Sequence, residues 1–164
     1  MKALIVYESA WGNTKAVAEA IAEGLADEIT YELTPVGEAL RLDQVEPDVL
    51  IVGAPTQAFG LSRQVTRDEA HQRGGQLVEF GVREWLESPS VTLRVATFDT
   101  HVRHPNLPGY AGRKAAKKLK KLGCTLIAKP ESFFVADYEG PLLDGELDRA
   151  RSWGQELSSL LRGS

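Results

Sequence analysis

Six residues, Ser9-Ala10-Trp11-Gly12-Asn13-Thr14, separate an apolar run from a stretch with helical spacing. A polar loop of this kind, leading straight into a helix, is suited to holding a phosphate. Backbone N–H groups at a helix start are open, and the helix dipole adds partial positive charge behind them. Gly12 lets the backbone wrap closely, the Ser9 and Thr14 hydroxyls can donate, and Lys15 adds a cation. An ordinary N-cap by Asn13 or Thr14 is the plainer alternative. A six-residue polar loop after a buried strand exceeds what such a cap needs. Two further segments close apolar runs and could meet a ligand: Pro55-Thr56-Gln57-Ala58-Phe59-Gly60 and Thr97-Phe98-Asp99-Thr100-His101.

These segments need a scaffold, and the hydrophobic pattern supplies one. Continuous or alternating apolar runs predict strands at 1–7, 29–34, 48–54 and 91–98. A fifth strand region covers 124–128 and 132–135, bent at Lys129-Pro130. Helical spacing predicts a helix at 13–27, with Val17, Ile21 and Leu25 inward. A second is expected at 77–87, with Val78, Val82 and Trp85 or Leu86 on one face. A third covers 110–122, where Lys114, Lys117, Lys118 and Lys121 form a solvated face. The last covers 143–161, with Leu147, Trp153, Leu157 and Leu160 or Leu161 inward. Residues 55–75 show no clean period. Alternating strands and helices predict an α/β fold: a three-layer, doubly wound, five-stranded parallel sheet in the order 2-1-3-4-5. One domain spans residues 1–164. In such a sheet ligands bind beyond the carboxyl ends of the strands, where the strand order reverses. That is where the three segments fall, and Gly53 at the end of the third strand allows a close approach.

Composition narrows the function. A net charge of -4 offers no field for nucleic acid, and no stretch has the apolar length to span a membrane. Cys124 is the sole cysteine, which excludes an internal disulfide, and its apolar setting predicts a buried thiol. The apolar start is cut short by Glu8, unlike a signal peptide, so a soluble, cytoplasmic protein is expected. The GxGxxG and GxxxxGK(S/T) nucleotide signatures are absent. Lys129-Pro130 suggests a phospho-receiver, but Glu8 stands alone after the first strand and Ala54-Pro55-Thr56 supplies no phospho-accepting aspartate.

The stretch VYESAWGNTKAVAEAIAEGL resembles the opening of flavodoxin-family proteins, whose phosphate loop is usually Ser/Thr-x-Thr-Gly-x-Thr. Ser9, Gly12 and Thr14 match it, and Trp11 replaces the middle threonine. The likeness continues through DVLIVGAPTQAFG, ATFDTHV and PESFFV to the final helix, and the short-chain type is the closer match. It implies FMN, with the phosphate in the first loop and residues 55–60 against the flavin ring. Gln57 stands where many flavodoxins carry tryptophan, and Phe59 either covers the ring or enters the core. Residues 97–101 would offer backbone groups to the polar edge of the flavin, and Tyr110 could cap its other face. His101, Arg103 and His104 make this rim more basic than the acidic rims usual in flavodoxins. The implied function is electron transfer between a flavoprotein reductase and an acceptor protein. The rival is an FMN-dependent NAD(P)H or quinone reductase, in which Arg63, Arg67, His71 and Arg73 would cover a substrate or bind a pyridine-nucleotide phosphate.

Overall fold

The computed structural model describes residues 1–103 and 110–163; His104 and the proline-bearing stretch after it lie outside the described residues. Three strands rich in Val, Ile, Leu and Ala form the middle of a parallel sheet: β1 (Lys2–Tyr7), β3 (Val49–Pro55) and β4 (Arg94–Val102). β2 (Thr30–Pro35) forms the exposed edge beside β1. The order is β2-β1-β3-β4, and the fifth position is shared by β5 (Thr125–Leu126) and β6 (Glu131–Val135), which both pair with β4. The bend expected at Lys129-Pro130 is therefore a full break. Proline has no N–H for the ladder, so the strand resumes one residue later.

Alternate residues of β1 face opposite layers. Ala3, Ile5 and Tyr7 meet α1 (Asn13–Gly24) and α5 (Glu146–Arg162), and Leu4 and Val6 meet the other layer. In the first layer the rings of Phe98, Phe133 and Trp153 pack edge-to-face at 6.1–6.2 Å. α1 and α5 touch through Gly24 and Gly154, where a Cβ on Gly154 would stand 2.2 Å from the Ile21 carbonyl oxygen. The second layer holds α2 (Gln64–Gln72), α3 (Val82–Trp85) and α4 (Ala111–Leu122). α4 turns Ala111, Ala115 and Leu119 inward and its lysines outward, as its spacing predicts.

Four expectations are corrected. The aperiodic stretch contains α2, started by Thr66, whose hydroxyl accepts from the Arg63 N–H at 2.9 Å and lies 3.0 Å from the Arg63 carbonyl. α2 shows no apolar stripe because its buried residues are Arg67 and Ala70. The helix expected at 77–87 shrinks to α3, since Leu77 and Phe80 are exposed and only Val82, Trp85 and Leu86 are anchored. α5 begins at Glu146, and its inward residues are Trp153, Leu157 and Leu161, with Leu147 and Leu160 exposed. β4 runs on to Val102, so residues 97–101 are strand and not loop. Cys124 is buried as expected, one residue before β5, with its thiol 3.5 Å from the Val91 carbonyl.

Trp153→Ala removes the ring that meets both phenylalanines. It should cost about 3–5 kcal/mol of unfolding free energy, measured by urea denaturation.

Candidate functional site

The loop after β1 is shaped by Gly12, whose φ of 90° places it in the left-handed region. Its N–H donates to Ser9 Oγ at 3.0 Å. α1 then begins without a side-chain cap, so the N–H groups of its first turn have no partner within the helix. The plain N-cap is thus not formed. Asn13 instead donates its amide to the Glu139 carbonyl at 3.1 Å, and the buried Thr14 hydroxyl sits 2.8 Å from that of Thr100. Two segments cover the loop. Gln76 N–H donates to the Ala10 carbonyl at 2.8 Å, and the Arg73 guanidinium lies 5.4 Å over the Tyr138 ring.

Past β3, Thr56 is tied to β4 by its N–H on the Thr100 carbonyl at 2.8 Å, and its hydroxyl accepts from Ala111 N–H at 3.0 Å. Residues 57–60 form a tight turn with reciprocal backbone bonds of 2.9 and 3.2 Å between Gln57 and Gly60. Ala58 and Phe59 at its tip have φ of 48° and 65°, which costs about 1–2 kcal/mol per residue. Phe59 is 62% exposed and belongs to no core, while Gln57 is buried.

The pairing of β4 with β3 and β6 engages the backbone at 98–100 from both sides, which overturns the expectation that this segment presents free backbone groups. Its side chains divide. Thr97 donates to the Gly112 carbonyl at 2.7 Å. Phe98 is core, and its ring fills the space a Cβ on Gly53 would enter. Asp99 accepts from Gly112 N–H at 2.9 Å and holds His101 Nδ1 at 2.6 Å. His101 stacks on Tyr110 at 3.9 Å and meets the edge of Phe134 at 5.1 Å. Tyr110 thus covers an imidazole, and Arg103 lies over the Phe134 ring at 5.4 Å.

Ser9, Ala10, Trp11, Asn13, Thr14, Pro55, Thr56, Gln57, Thr100 and His101 line one cavity at the carboxyl end of the sheet. Gly12, Ala58, Phe59, Gly60, Thr97, Phe98 and Asp99 do not. The cavity measures about 30 Å³, room for a water molecule or two. Among the described residues, three polar atoms of its lining are buried without a hydrogen-bond partner: Trp11 Nε1, Gln57 Oε1 and His101 Nε2. An unpaired buried polar atom costs about 1–3 kcal/mol. Together the three offer an indole donor, an amide acceptor and an imidazole nitrogen. With Asp99 accepting from Nδ1–H, a neutral His101 keeps its lone pair on Nε2. A larger cleft, about 660 Å³, opens between Ser9, Gly12 and Lys15 and residues 76–80.

Beneath the loop lies a polar cluster that periodicity cannot reveal. Glu8 Oε1 accepts from Val82 N–H at 2.9 Å, and buried Arg67 reaches Ser62 Oγ at 3.0 Å and Glu84 Oε1 at 3.0 Å. Gly81 makes this closure possible, since a Cβ there would stand 2.5 Å from Glu8 Oε1 and 2.6 Å from Arg67 Nη1. Burial pushes the Glu8 carboxyl above its usual range, against the Ser62 hydroxyl, the Val82 N–H and the Arg67 charge, and Glu84 pushes the same way as burial. Arg67 is therefore structural and not a ligand-binding cation. His71 is likewise engaged, with Nδ1 3.0 Å from the Gly75 carbonyl.

No family model matches the sequence, and no curated protein does. Solved structures do match in shape. A flavodoxin from the domain Archaea superposes with a TM-score of 0.69 at 20% identity, covering 99% of each chain. The fold is that of the flavodoxins. Oxidised flavodoxin 1 from Bacillus cereus gives 0.70 at 19% identity, over 97% of this chain and 98% of that one. A WrbA-like flavodoxin from Agrobacterium tumefaciens gives 0.57 at 19% identity, over 99% and 98%. Among the described residues of this flavodoxin fold, no helix is long and apolar enough to cross a membrane, and no cluster of His, Cys, Asp or Glu could hold a metal.

The raised Glu8 value fixes the sign of a pH effect. As pH rises past the ordinary carboxylate range, the unfolded chain gives up this proton first, and the native state retains it longer. The wild type therefore loses stability as pH rises from that range to the raised native value. Glu8→Gln has no proton to lose. Its stability relative to wild type should climb through the same window and stay level below it, read from urea midpoints across the acid-to-neutral range. Parallel curves would contradict the assignment.

Proposed function

We propose that this chain is a flavodoxin-family protein that binds FMN and carries electrons between a flavoprotein reductase and an acceptor protein. One observation carries the reading. The uncapped start of α1 and three unpartnered buried polar atoms converge at the carboxyl ends of β1, β3 and β4. This is the place where a doubly wound sheet binds its ligand.

The donor set fits the cofactor. Backbone N–H groups of the first α1 turn, with the Ser9 hydroxyl and Lys15 nearby, suit a dianionic phosphate. Gln57 Oε1 can accept from an imide N–H, and Trp11 Nε1 can donate to a ring carbonyl. Bound FMN would supply one- and two-electron transfer. A flavin ring is larger than the 30 Å³ cavity, so seating it would require the side chains that line the cavity, Trp11 and Tyr138 among them, to give way. Arg73 over Tyr138 is an exposed contact of about 0.5–1 kcal/mol, small against the binding energy of a phosphate held by several charge-assisted hydrogen bonds. Substitution of the usual threonine by Trp11 removes one hydroxyl donor and supplies an indole N–H in its place.

The Asp99–His101 pair favours a second reading, a flavin-dependent reductase of NAD(P)H or quinones. Asp99 holds the imidazole in one orientation, as a proton donor or acceptor beside a reacting ligand requires.

Titration of apoprotein with FMN and riboflavin tests the first reading. FMN should bind at least about tenfold more tightly, since each charge-assisted contact contributes roughly 1.5–3 kcal/mol. Gly12→Ala, strained at its positive φ, should narrow that ratio. Equal affinities in the wild type would remove the phosphate assignment. The FMN-loaded protein alone should oxidise NADPH negligibly; fast, saturable turnover with a quinone would select the reductase instead.

A further inference from the structure

The turn at 57–60 has two sides. Gln57 lines the polar cavity, and Phe59, two residues on, overlooks a groove of about 310 Å³. Six cations ring that groove: Arg63 and Arg83, with Lys114, Lys117, Lys118 and Lys121 from α4. The four lysines follow helical spacing and make one continuous stripe. Arg83 is fixed as part of the floor, donating to the Ser62 carbonyl at 3.0 Å and the Leu61 carbonyl at 2.7 Å. Among the described residues, none of the six makes an ion pair with a carboxylate.

This arrangement works against the stability of the free protein. Burial and then Arg83 hold the Lys118 ammonium below its usual value, and Glu84 and Glu87 offset this in part. Phe59 is held in the open on a turn with two left-handed residues. The chain as a whole is acidic, at -4, so these cations are gathered on one face rather than following the average. A charged rim beside one exposed aromatic is the composition of a protein-docking site with an anchor.

We propose that this face docks an acidic redox partner protein, with Phe59 as the apolar anchor and the α4 lysines paired to the partner's carboxylates. The proposal rests on the FMN reading for its purpose, because the docked partner would lie one turn away from Gln57. It does not rest on that reading for its binding chemistry. Carboxylates would lift the repulsion that now bears on Lys118, and a basic partner would be repelled.

The test measures binding of an acidic ferredoxin to the full chain, before and after FMN addition, in about 20 mM and about 300 mM NaCl. Basic cytochrome c and a single-stranded oligonucleotide serve as counter-probes. Ferredoxin should bind at low salt and weaken at least tenfold at high salt. Lys117→Glu should weaken it at least tenfold, and Phe59→Ser should weaken it at both salt levels. Arg162→Glu makes the same charge change on α5, in the opposite layer, and should leave binding intact. Cytochrome c should not bind. No ferredoxin binding at low salt would overturn the proposal. So would an equal loss in Arg162→Glu, or an oligonucleotide bound as tightly as ferredoxin. Ferredoxin binding without FMN uptake would sink the cofactor reading alone, and FMN uptake without ferredoxin binding would sink the docking surface alone.

Discussion

The double pairing of β4 is the constraint on which the cavity end of this molecule depends. β4 is laddered to β3 as far as Thr100 and to β6 as far as Val102. That rigid track brings the Thr100 hydroxyl to Thr14, sets Asp99 under the start of α4, and delivers His101 to Tyr110. It also spends the backbone groups along this stretch. What β4 presents to the cavity is left to the side chains of Thr100, His101 and Val102. Strand side chains held on a ladder are positioned more narrowly than loop groups.

Around this track the protein spends stability in two places. One is the Glu8–Ser62–Arg67–Glu84 cluster, which replaces an apolar contact under α2 with buried charge. Such clusters stabilise little in total and penalise any alternative packing of the groups they hold. The other is the 57–60 turn, with two left-handed residues at its tip. That strained turn stands next to the unpartnered polar atoms of the cavity.

Much of this was legible in residue order, and the failures share one cause. β1 and β3 declare themselves because a strand covered on both faces is apolar at every position, and α1 because Val17 and Ile21 keep helical spacing. The loop after β1 is visible because its residues are local in sequence. α2 is invisible because its inward face carries Arg67, a charge held by Ser62 just before the helix and by Glu84 beyond it and not by apolar neighbours. The far half of β4 reads as loop because Thr97, Asp99 and His101 face α4 with polar partners in place of apolar ones. Leu147 misled in the opposite sense, as a leucine on the solvent side of α5, while of the pair Leu160 and Leu161 it is Leu161 that turns inward. Hydrophobic period reports burial only where burial is apolar.

The glycine contact between α1 and α5 has a consequence in the order of folding. The Ala26 N–H donates to Ser158 Oγ at 2.9 Å across 132 residues of chain, beside the point where Gly24 meets Arg151 and Gly154 meets Ile21. While the chain is being synthesised, α1 lacks this flank until α5 has left the ribosome. α1 therefore stays packed on one side only until α5 has emerged and docked against it.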